Sequence, residues 1–83
     1  MDIKDARKQI DTIDAQLVNL FEQRLSIIKS IGKYKDEHHL PLIDEERDYE
    51  IISSLKTECD DSRMLTYIES YMKDVISISN EFL

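Results

Sequence analysis

Arg24 and Lys35 lie eleven residues apart in a stretch that otherwise reads as a regular apolar stripe. At 3.6 residues per turn, eleven residues make three turns plus about 20°, so both side chains leave one helix face roughly 16 Å apart along the axis. Arginine offers an always-charged planar fork suited to carboxylates; lysine offers a compact ammonium on a flexible stem. With Ile28 and Ile31 between them as an apolar wall, the pair can close on a small dianion. Arg24 interrupts the run Ile3, Ala6, Ile10, Ile13, Leu17, Leu20, then Ile27 or Ile28 and Ile31, whose 3–4 spacing marks a single helix face. A guanidinium there must pair with an acid such as Glu22 or Glu46, run its stem out to solvent, or be reserved for an anion, because burying it unpaired is costly.

Other groups extend this set. Asp44 and Arg47 stand close together after the chain's one proline, Pro41. Ser79 falls on the apolar face of the last segment. Arg7 precedes Arg24 by seventeen residues, roughly 25 Å along one straight helix, too far for both to hold one small ligand. In an antiparallel dimer, Arg7 of one chain reaches the site of the other. His38 and His39 are adjacent without further ligands nearby in sequence, a weak metal signal. With no Gly-rich phosphate loop either, neither a metal nor a cofactor is expected.

The elements that must position these residues are helices. One Gly and one Pro in 83 residues leave few punctuation points for sheets and tight turns. The pattern predicts three helices in a single domain spanning 1–83, at about 2–36, 44–58 and 61–82. Asp2 and Asp44 are N-caps for the first two, with Glu45 and Glu46 in the first turn of the second. One of Asp60, Asp61 or Ser62 caps the third, whose stripe is Leu65, Ile68, Met72, Val75, Ile76, Ser79, Phe82 and Leu83. A 35-residue helix spans roughly 50 Å, too long for so short a chain to cover, so a second chain should bury part of it. A coiled-coil seam is the plainer reading of the same stripe.

The net charge of −7 argues against nucleic acid and anionic membrane surfaces. Cys59 is the one cysteine and has no internal disulfide partner, which fits a reducing compartment. No apolar run approaches membrane-spanning length, and a cytoplasmic protein is expected.

Taken in order, the motifs resemble the all-helical AroQ class of chorismate mutase over nearly the whole chain. Arg7-Lys8-Gln9-Ile10-Asp11-Thr12-Ile13-Asp14-Ala15-Gln16-Leu17 is similar to that family's R-x-x-I-D-x-I-D-x-x-L opening. Leu20 to Arg24 and Ile31 to Lys35 resemble its L-x-x-R and I-G-x-x-K steps, and Pro41 to Arg47 its P-x-x-D-x-x-R segment. The resemblance implies an all-α intertwined homodimer helical bundle with three helices per chain. It implies an isomerase of the shikimate pathway that converts chorismate to prephenate for phenylalanine and tyrosine biosynthesis. Arg24 and Arg47 would hold the substrate carboxylates, with Arg7 arriving from the partner chain. Lys35 would donate to the ether oxygen, and Asp44 would accept from the ring hydroxyl. Asp48 stands where the family usually has Glu. Ser79 would touch a carboxylate, and Ile31 and Ile76 would line apolar walls.

One departure concerns the family's S-x-x-x-Q segment, or its Glu variant. Aligning Ser79 with that serine puts Leu83 at the position of a donor to the ether oxygen, and a leucine cannot donate. The other register pairs Ser77 with Glu81, but takes the serine off the apolar stripe; helix phase favours Ser79 and Leu83. Loss of one donor to a developing negative charge typically costs ~3–4 kcal/mol, so reduced activity is expected. The alternatives are an isochorismate pyruvate lyase-like enzyme on the same scaffold and a non-catalytic helical dimer with a regulatory or partner-binding role.

Overall fold

The computed structural model describes residues 1–83 and contains three α-helices: α1 (Ile3–Glu37), α2 (Glu45–Glu58) and α3 (Leu65–Asn80). There is no strand. Asp2 caps α1 by accepting the Lys4 N–H at 2.9 Å, and Asp44 caps α2 by accepting the Arg47 N–H at 3.0 Å. Each cap satisfies a donor that the first helical turn leaves unpaired.

The end of α1 has a defined stop. His39 takes φ 56°, the left-handed region. The Leu40 N–H donates to the Lys35 carbonyl and the His39 N–H to the Asp36 carbonyl. This is the paired closure usually built around glycine, here imposed on a histidine. It turns the chain sharply after Lys35 and brings Leu42 back beside that lysine.

The third helix differs from expectation at both ends. Asp61 accepts the Arg63 N–H and also grips its guanidinium through Nε and Nη2. That clamp winds Ser62–Met64 into a 3-10 turn, and the α-helix begins only at Leu65. At the other end the Phe82 N–H reaches the Ser79 carbonyl and the Leu83 N–H the Asn80 carbonyl, so the last residues close by i→i+3 bonds rather than continuing the helix.

α3 is the hub. It packs on α2 and on α1, whereas no Cα of α1 comes within 8 Å of one in α2. The gap between α1 and α2 is the space in which a site can form. α2 and α3 run antiparallel, as the Lys56–Glu69 ion pair near one end and the Asn80–Asp48 hydrogen bond near the other require. The one glycine permits the tightest approach. A Cβ on Gly32 would lie 3.0 Å from the Leu83 Cα and 3.2 Å from its carbonyl carbon.

The molecule is elongated, 54 × 25 × 16 Å, with a radius of gyration of 15.9 Å against about 12 Å for a globular chain of this length. Its surface of 7,078 Å² exceeds the roughly 5,200 Å² expected of a compact protein of 9.8 kDa. Only Gly32, Ile76 and Ser79 are buried, so one chain does not enclose a core of its own. No helix is long and apolar enough to cross a membrane.

Candidate active site

Three elements and a loop converge on one cavity of about 200 Å³. α1 supplies Arg24, Ile27, Ile28, Ile31 and Lys35; the loop supplies Leu42 and Asp44; α2 supplies Arg47, Asp48 and Ile51; the α3 end supplies Asn80 and Leu83. The volume is below the ~300–1,000 Å³ of pockets for drug-sized ligands, which suits a small compact guest. A broader trough of about 780 Å³ runs over Asp11, Thr12, Ala15 and Gln16. It is formed by one helix alone, so it cannot surround a ligand.

Arg24 is the residue whose surroundings are most specific. Its Nη1 is buried and has no hydrogen-bond partner, and no acid lies within ion-pair distance of it. Neither Glu22 nor Glu46 pairs with it, and the residue as a whole is half-buried. An unsatisfied buried donor costs roughly 1–3 kcal/mol, more when charged; a carboxylate entering the cavity would remove that cost. Lys35 Nζ donates to the Leu42 carbonyl at 3.0 Å. An ammonium has three donors, so two stay free. Arg47 makes only an exposed contact with Glu50 at 3.6 Å, a weak tie that leaves it free to turn toward a ligand.

The two acids of the cavity are each half engaged. Asp44 Oδ1 accepts from the Arg47 backbone. Asp48 Oδ2 accepts from Asn80 Nδ2 at 3.2 Å. Each keeps an oxygen for another donor, such as a hydroxyl.

Arg24, Ile31, Lys35, Asp44 and Arg47, read from spacing, and Asp48 and Leu83, implied by the resemblance, all line this one cavity. Three residues do not. Ser79 has no exposed surface, and its hydroxyl donates to the Val75 carbonyl. It points into the helix packing rather than the cavity. Ile76, 5% exposed, sits in that same packing. Arg7 is exposed, about 25 Å along α1 from Arg24. The residue the sequence reading passed over is Asn80. It is polar, half-buried, one position beyond the helix phase assigned to Ser79, and it lines the cavity. Helix phase gave no sign of it, because it is a polar residue one position off the apolar stripe.

Residues 6–82 match the model of chorismate mutase type II. The chain belongs to that family. Among curated relatives, the T-protein of Haemophilus influenzae is 27% identical over 96% of this chain but only 22% of that protein. The bifunctional chorismate mutase/prephenate dehydratase of Aquifex aeolicus is 35% identical over 65% of this chain and 15% of that protein. A T-protein of Enterobacter agglomerans is 32% identical over 65% of this chain and 14% of that protein. The chain therefore spans about a fifth or less of the length of these relatives, which corresponds to one chorismate mutase type II unit.

Proposed function

We propose that this chain catalyses the rearrangement of chorismate to prephenate, as a homodimer in the cytoplasm, in the route to phenylalanine and tyrosine. The observation that carries the reading is the unpartnered, buried Arg24 Nη1 in a cavity that also holds Lys35 and Arg47. Three cations around a small apolar-walled space in a chain of net charge −7 suit a dianionic guest and little else.

The reaction is pericyclic. One C–O bond breaks as a C–C bond forms within the same molecule, and no group of the protein is covalently altered. The protein contributes geometry and charge. Arg24 and Arg47 clamp the two carboxylates, holding the substrate in a compact conformer with the reacting carbons close; such pre-orientation supplies several kcal/mol of the barrier. Lys35 donates to the ether oxygen as negative charge grows there. Asp44 and Asp48 stand at the ring hydroxyl, whose single proton goes to one carboxylate at a time. Leu83 adds an apolar wall where a second donor to the ether oxygen would raise the rate. Arg7 completes the carboxylate clamp from the partner subunit. The surface in excess of a globule's, some 1,900 Å², is on the scale of what each chain of a stable dimer buries.

The test is an assay of the purified chain with chorismate and, separately, isochorismate, identifying the products. Prephenate from chorismate supports the reading. Salicylate and pyruvate from isochorismate alone would replace it with a lyase, and absence of both turnover and chorismate binding by calorimetry would leave a non-catalytic helical dimer.

A further inference from the structure

We propose that Asn80 is a positioning residue of this site, acting through Asp48; the inference rests on the mutase reading above. Asn80 Nδ2 donates to Asp48 Oδ2 at 3.2 Å, across 32 residues of sequence and between α3 and α2. Both residues are half-buried and both line the cavity. The direction of the bond is fixed by chemistry, because a carboxylate only accepts.

The need for such a tie follows from the composition of the cavity. Asp48 shares a small space with Arg24, Lys35 and Arg47. A free aspartate there can turn onto one of these cations, neutralise it and compete with an anionic guest. Asp44 is kept from this by its cap bond to the Arg47 N–H; Asp48, inside the first turns of α2, has no backbone cap to make. Asn80 supplies the equivalent restraint from α3. It draws one oxygen of Asp48 toward α3 and leaves the other for a hydroxyl of the guest. Ser79 cannot do this, since its hydroxyl is spent on Val75.

A double-mutant cycle tests the coupling: kcat and KM for chorismate in the unaltered chain, Asn80→Ala, Asp48→Ala and the double variant, with circular dichroism on each. Asn80→Ala is expected to raise KM about tenfold, the scale of one hydrogen bond to a charged group, with a smaller change in kcat. In the Asp48→Ala background the same substitution should cost nearly nothing, because its target is gone. Asn80→Asp keeps the side-chain shape and sets a second carboxylate against Asp48; it should lose more than Asn80→Ala at pH 7, and this variant serves if alanine loosens the α3 end. Equal losses from removing Asn80 with and without Asp48, in a chain that turns over chorismate, would overturn this inference and leave the mutase reading standing. A chain with no turnover would overturn both.

Discussion

The two halves of α1 have the same sequence texture and opposite surroundings. From Arg24 to Lys35 the stripe faces a cavity closed by α2, α3 and the intervening loop. From Ile3 to Ile13 it lies largely open: Ile3 and Ile10 are more than half exposed and Ile13 nearly so, while Leu17 and Val18 border a groove shared with α3. The C-terminal half places its cations where packing partners exist and so makes a site. The N-terminal half carries its own cation, Arg7, on an exposed position. The lesson is that the short helices of this chain suffice to cover one site's worth of α1 and leave much of the remaining apolar stripe exposed.

The comparison is broken most directly in the uncovered half. Ile13→Asp places a charge in the middle of the exposed stripe. Sedimentation should show a monomer, and kcat/KM for chorismate should fall at least about a hundredfold if each site needs a partner's clamp and core. A monomer of full activity would separate the two halves and remove Arg7 from the account.

A smaller effect sharpens the covered half. Gly32→Ala gains about 1 kcal/mol of helix propensity but sets a Cβ 3.0 Å from the Leu83 backbone. The two oppose each other in stability, so the melting temperature should move by only a few degrees. Leu83 and Asn80, however, are displaced from the cavity wall, and kcat/KM should drop several-fold.

His39→Gly reads the hinge between the halves of the site. Relief of the left-handed histidine at φ 56° is worth roughly 1 kcal/mol, less the entropy of an added glycine, and a modest rise in melting temperature should follow with activity retained.

The smallest effect is electrostatic and lies outside both halves. A hydrogen bond from Lys56, and then its charge, hold the Glu69 carboxyl below its ordinary value of 4.5. A carboxyl lowered in the folded state stabilises it at pH above the unfolded value and stops doing so as pH falls through the folded one. Thermal melts below about pH 4.5 should therefore show a slightly steeper loss in the unaltered chain than in Glu69→Gln.

Periodicity made the fold legible because almost every apolar residue lies at helical spacing, and Asp2 and Asp44 mark their caps where they stand in sequence. It made Arg24 and Lys35 legible because both share one straight helix. Legibility ended at the far end of α3. Ser79 and Asn80 both lie within that helix, but its apolar face packs against the other helices, so Ser79 on that face is enclosed, its hydroxyl spent on Val75. Asn80, one position on, lines the cavity. At the start of α3, Asp61 is among the caps expected and does cap the segment, but its local grip on the Arg63 guanidinium accompanies a 3-10 first turn that no apolar period announces.

The central claim is that the half-buried guanidinium of Arg24, with its buried Nη1 unpaired, and a neighbouring ammonium hold a dianion in reactive form. The kcat/KM of Arg24→Ala and Lys35→Ala for chorismate tests it most directly. Each should fall by about a hundredfold or more while the helical circular dichroism is unchanged. Full activity in both, in folded protein, would contradict it.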